Sequence, residues 1–266
     1  MDGMLARTRT VAWLMFFAGC VTAWYALFKW STGMQVDLLG FPQAMQGMSG
    51  AMADVSMPDM SMRAMDNFRA LFLMWAVMMA AMMLPTYVPT ARTFMDLIEA
   101  EIARPIGLAG LTTGYVAVWI GMAALLATAQ MVFVRIGLTG TMGQSLSPWF
   151  SAALFIGAGL YQFTETKERC AKHCRSPMSM FLAEYRPGLQ GGIGLGMKTG
   201  GYCAGCCWGL MAIGFAGGMM SLLWMGLATV LMVLEKTPQI GRWLTAPIGI
   251  ALVAIGLGIV GGALLG

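Results

Sequence analysis

Charge is scarce in this chain. Only 11% of its 266 residues are Asp, Glu, Lys or Arg, and there is one histidine, His173. A single histidine makes a Ser–His–Asp arrangement difficult. No glycine-rich phosphate loop follows a strand-like run, and no basic patch interleaved with aromatics offers itself to nucleic acid. Hydrolysis, nucleotide-driven pumping and nucleic-acid binding therefore lack the residues they need. There is no internal repeat, and no stretch polar enough to form a separate soluble domain.

What is present is apolar. Hydrophobic residues make up 58% of the chain, and several runs approach or exceed the roughly 18–20 residues that cross a bilayer. They are Val11–Phe28, Phe68–Leu84, Ile106–Val134, Pro148–Thr164, Gly200–Phe215, Met219–Leu234 and Leu244–Leu265. The expectation is an all-α, polytopic transmembrane helical bundle of six to seven spans, with residues 1–266 as one transmembrane domain. The 35 glycines fit this class, since small residues let lipid-embedded helices approach closely. Gly110-xxx-Gly114, Gly205-xxx-Gly209 and Gly258-xxx-Gly262 are the expected packing faces.

The positive residues set an orientation. With the N-terminus inside, Arg7, Arg9, Arg92, Arg104, Lys167, Arg169, Lys172, Arg175, Arg186, Lys236 and Arg242 fall on the inner side. Lys29, Arg63, Arg69 and Arg135 fall outside, and Lys198 is ambiguous. Lys and Arg collect on the cytoplasmic side of membrane proteins, so the expected location is a bacterial inner (cytoplasmic) membrane, with the N-terminus cytoplasmic. Arg7 and Arg9 followed by an apolar run to Cys20 also resemble a lipoprotein signal. The run continues through Phe28, as an uncleaved span would.

Soft ligands are the excess. There are 28 methionines, and thirteen lie between Met34 and Met83. Eight of these (Met34, Met45, Met48, Met52, Met57, Met60, Met62 and Met65) fall in an outer loop at about 29–67 that has little else to pack. Met74, Met78, Met79, Met82 and Met83 follow helical spacing and share one stripe of the second span. A thioether is a neutral, soft donor suited to Cu(I), although Met also fills gaps in packed helices. Five of the six cysteines fall in two groups, Cys170-x3-Cys174 after the fourth span and Cys203-x2-Cys206-Cys207 at the start of the fifth. Both groups are expected near the cytoplasmic surface, as a thiolate metal site or as a redox set. His173 lies between the first pair. Glu235 is expected to pair with a lysine or support a cation site. Lys198 and Lys236, at span ends, can reach water by snorkelling.

The run Met74-Trp-Ala-Val-Met-Met-Ala-Ala-Met-Met-Leu-Pro85, together with Tyr161-Gln162, Lys167, Cys170, Cys174, Arg175 and Pro177, resembles a family of bacterial predicted metal-binding integral membrane proteins of unknown function. So do Cys203-Ala-Gly-Cys-Cys-Trp-Gly-Leu-Met211 and Glu235-Lys236. The resemblance implies a polytopic helical protein that binds metal; it implies no reaction. Read from the residues, the chain binds and transports or delivers a soft metal ion, Cu(I) first. Its metal ligands are Cys170, Cys174, Cys203, Cys206, Cys207, Met74, Met78, Met79, Met82 and Met83, supported by Glu235, Lys236 and His173. Its partners are the lipid bilayer, the metal ion and a metallochaperone or cuproprotein. A membrane thiol oxidoreductase or metal-dependent oxidase built on the same cysteines is the alternative.

Overall fold

A computed structural model describes residues 2–33, 67–140, 143, 145–217 and 221–265. The eight methionines of the outer loop lie outside the described residues. Among the described residues the chain is helical and contains no strand. Its helices are α1 (Asp2–Gly33), α2 (Phe68–Glu99), α3 (Pro105–Arg135), α4 (Pro148–Tyr161), α5 (Glu165–Arg175), α6 (Pro177–Glu184), α7 (Leu189–Ala212), α8 (Gly214–Gly217), α9 (Leu222–Lys236) and α10 (Gly241–Leu265). Three of them, α2, α3 and α10, are long and apolar enough to cross a membrane; α4 is apolar but shorter. Large apolar side chains such as Leu125, Val132, Ile250 and Leu257 point outward, as they do where the surrounding solvent is lipid.

Helix starts follow local chemistry. Asn67, Thr164 and Ser221 accept a backbone N–H of the first turn of α2, α5 and α9, and Pro105, Pro148 and Pro177 occupy the first position of α3, α4 and α6. A proline there gives up an N–H that has no helical partner anyway.

Each expected span overlaps a helix among the described residues, although Gly200–Phe215 straddles α7 and α8 and Pro148–Thr164 runs past the end of α4. The second span was expected to stop at Leu84, whereas α2 runs through Pro85 and Pro89 to Glu99. Pro85 cannot donate to the Ala81 carbonyl; the Trp24 indole of α1 donates to it instead, at 3.1 Å, so the helix continues. The stretch 165–189, expected as a loop, contains α5 and α6. The fifth span was expected to start at Gly200, but α7 starts at Leu189. Its glycine-rich first half is a packing surface.

That surface meets α3. A Cβ on Gly110 would fall 2.4 Å from the Leu189 carbonyl oxygen, one on Gly114 2.2 Å from that of Ile193, and one on Gly196 2.1 Å from that of Leu111. Gly200 abuts Val118 further along. The contacts advance together along both helices, so α3 and α7 run parallel with backbones almost touching. Elsewhere α2 packs antiparallel on α3, with the Trp75 indole donating to Gln130 at 2.9 Å, and α4 packs antiparallel on α10 around Gly159 and Gly249. Gly205 and Gly209 are contact positions too, against Cys170 and Tyr161. Gly258 and Gly262 face open space, which corrects their expected packing role.

Gly114→Ala is expected to force α3 from α7 and lower the melting temperature in detergent, at a cost of about 1–3 kcal/mol as for other overpacked sites. Gly258→Ala, whose methyl meets nothing, should leave the melting temperature unchanged or slightly higher.

Candidate metal centre

The glycine seam fixes the depth of the cysteines. Cys203 lies fourteen residues into α7, about 21 Å along its axis at about 1.5 Å per residue. The three α7 cysteines therefore lie in the second half of the helix, not at its start as the expected span had it, and inside the bundle. The cause is the stretch 189–199 ahead of the expected start, which folds as about three further turns of helix.

Four thiols meet there. Cys203, Cys206 and Cys207 of α7 and Cys174 of α5 are all buried. The sulfurs of Cys206 and Cys207 are 3.3 Å apart, and those of Cys174 and Cys206 3.7 Å. The Cys206 thiol also donates to the Cys203 carbonyl oxygen at 3.1 Å. Cys170 stands apart: it is half-buried and seated against Gly205, where a Cβ would come within 2.8 Å of its sulfur. Partial burial pushes the Cys170 thiol above its ordinary value, which keeps it protonated at neutral pH and a poor nucleophile. All six cysteines are free thiols. Among the described residues, no group of three or more Cys, His, Asp or Glu side chains is arranged to hold a metal ion; Cys206 touches Cys174 and Cys207 instead.

Buried charge surrounds the thiols. The Lys236 ammonium donates to the Cys203 sulfur at 2.8 Å and is 5% exposed, so its expected escape to water does not occur. Lys167, 1% exposed, donates to the Cys206 carbonyl and pairs with Glu235 at 2.8 Å. The other Glu235 carboxylate oxygen is buried without a partner among the described residues. Arg175 clips α5 to the α9–α10 junction by donating to the Glu235 and Gly241 carbonyls and to Thr245, and it pairs with Glu168 at 3.3 Å. Charges this deep are costly unless matched. Lys167 has Glu235, whereas Lys236 has a sulfur.

The methionine stripe leads to the same place. Met74, Met78, Met79, Met82 and Met83 are all buried on α2. Met83 touches the Thr86 hydroxyl through its sulfur at 3.7 Å. Thr86 lies 3.4 Å from the Tyr115 hydroxyl, and Tyr115 lies 3.2 Å from the Cys203 sulfur. Tyr115 is a connecting residue that sequence reasoning missed; its position on α3, opposite the start of the motif on α7, could not be read without the seam. His173 stacks on Tyr202, rings 4.1 Å apart and 7° from parallel, with Nδ1 2.8 Å from the Arg169 carbonyl oxygen.

A family model described as PpoB2, copper chaperone, matches residues 72–259. The match spans more than half of the chain and includes the Met stripe, both cysteine groups and Glu235-Lys236. No curated protein and no solved structure matches. The chain belongs to the PpoB2 copper chaperone family.

Glu235→Gln removes the charge that matches Lys167 and should cost about 3–5 kcal/mol, as when one partner of a buried pair is lost. Glu165→Gln, in an exposed pair with Arg169, should change nothing measurable. Thermal unfolding of both variants in detergent checks the contrast.

Proposed function

We propose that this member of the copper chaperone family is a membrane protein that takes up Cu(I) through thioethers and holds it on the buried thiols for delivery inward. The observation that carries the reading is the four-thiol cluster with an ammonium on one of its sulfurs, joined to a methionine stripe through Tyr115. Thiolates and thioethers are the donors that select Cu(I) over hard cations. The ligands are Cys174, Cys203, Cys206 and Cys207, with Met74, Met78, Met79, Met82 and Met83 upstream. Cys170 is placed to exchange the ion at the edge of the cluster. Loading requires these side chains to rearrange, since among the described residues no three of them stand arranged to hold an ion.

The helical bundle formed by α1, α2, α3, α4, α7, α9 and α10 is read as the membrane unit, with six to seven crossings, in a bacterial inner membrane and with the N-terminus cytoplasmic. In that orientation α2 runs inward from the Met-rich loop, whose thioethers would collect the ion outside. Rising affinity from thioether to thiolate favours inward transfer without nucleotide, and the recipient is a metallochaperone or cuproprotein.

Burial weighs against the oxidoreductase alternative. Thiol–disulfide exchange needs a partner's thiolate to reach a sulfur, and none of these four is open to a protein partner. A bare ion needs far less room.

Copper content of protein purified anaerobically in detergent tests the reading, wild type against Cys203→Ser/Cys206→Ser. The wild type should retain Cu(I) with at least about tenfold higher affinity than the variant, a difference of about 1.4 kcal/mol. Equal copper in both, or a Cys206-dependent disulfide in copper-free wild type, would refute it.

A further inference from the structure

The thiols end a longer column of soft donors. On α7, Cys203, Cys207 and Met211 follow one another at i, i+4 and i+8, all buried, so they lie on one face. Met225 and Met232 of α9 share a buried face that ends at Lys236. The same helix faces border a small, partly open chamber between α2, α7 and α9. Met78, Met79 and Met82 line it from α2, Met211 from α7 and Met225 from α9, with Trp224 at its wall. All five methionines are buried, although they come from three helices far apart in sequence.

The chamber has a volume of about 20 Å³. That is room for roughly one water-sized sphere and too little for a hydrated ion. Its lining sulfurs are neutral, and no carboxylate borders it. A divalent cation would enter with nothing to balance its charge, and its desolvation cost grows with the square of that charge. A monovalent soft cation loses its water more cheaply and gains thioether ligands, with an indole ring nearby to add cation–π attraction.

We infer that this chamber is a second metal site, an all-thioether site for a dehydrated monovalent soft cation, Cu(I) or its analogue Ag(I), held by Met78, Met79, Met82, Met211 and Met225. It rests on the copper-transfer reading above and adds a discrete stop before the thiols. Met79 also borders a neighbouring cavity that contains Met83 and Tyr115, and Tyr115 touches Cys203. The chamber is therefore connected to the thiols by side chains in contact.

The test uses the full chain in detergent with ¹³C-methyl methionine, titrated with silver nitrate, with zinc chloride in a parallel sample. Met211→Leu and Met225→Leu, singly, assign the two methyl signals. Both signals should shift with Ag(I) and stay put with Zn²⁺, and the double variant should bind about one fewer Ag(I) per chain than wild type. Signals that do not move in excess silver would overturn the site, as would equal movement with zinc or an unchanged silver count. If the double variant does not fold, the methyl shifts of the wild-type chain decide alone. Protection of Cys203, Cys206 and Cys207 from alkylation by silver is followed in the same samples. Its absence would count against the thiol site, and the methyl signals would still decide the chamber.

Discussion

The contact between α3 and α7 governs this molecule. Two helices whose backbones nearly touch at Gly110, Gly114, Gly192 and Gly196 cannot slide without collision, and their register fixes which side chains meet further along. Tyr115 reaches Cys203 because the glycines before both residues hold the helices close. The seam also turns the Cys203–Cys207 face of α7 toward α2 and α9, and toward Cys174 of α5. In lipid, where apolar burial gives helices little reason to associate, such close packing is the available source of cohesion.

Around the thiols the problem changes from packing to charge. Lys167, Arg175 and Lys236 are buried cations, and Glu235 and Glu168 are the carboxylates that meet two of them. Among the described residues the third cation, Lys236, donates to the Cys203 sulfur and pairs with no carboxylate. In the same place the Cys206 sulfur lies at contact distance from those of Cys174 and Cys207. Arg175, tied to carbonyls at the α9–α10 junction, keeps α5 and Cys174 in place against this arrangement.

Much of this was legible in the sequence, and the failures share a physical theme. Every apolar run marked a helix, and the methionine spacing on α2 read correctly as one buried face. The fifth span was expected to start at Gly200, eleven residues after α7 begins; the glycines before it serve close approach to α3, and with them left out Cys203 read as the opening of its helix. The second span was expected to end at Leu84, and nothing local announces that the Ala81 carbonyl, which Pro85 cannot satisfy, is met by Trp24, fifty-seven residues before Ala81. Lys236 read as a snorkelling residue because a span end normally offers water, whereas its actual partner is a thiol from another helix. Met211 could have been found, since it continues the i, i+4 series from Cys203 and Cys207. Met225 could not, because its relation to Met78 exists only in three dimensions.

The thioethers of α2 carry no charge, and this has an electrical consequence. On the proposed route an ion held by methionine alone would keep its whole unit of charge, so each step along the stripe would move that charge through whatever voltage the membrane sustains. Crossing the full field is worth about 2.3 kcal/mol per 100 mV. On a thiolate the same ion forms a neutral unit and stops responding to the field. A bundle with thioethers at one depth and thiolates at another would therefore act as a one-way electrical step, in which the membrane potential pulls the cation as far as the sulfur that neutralises it.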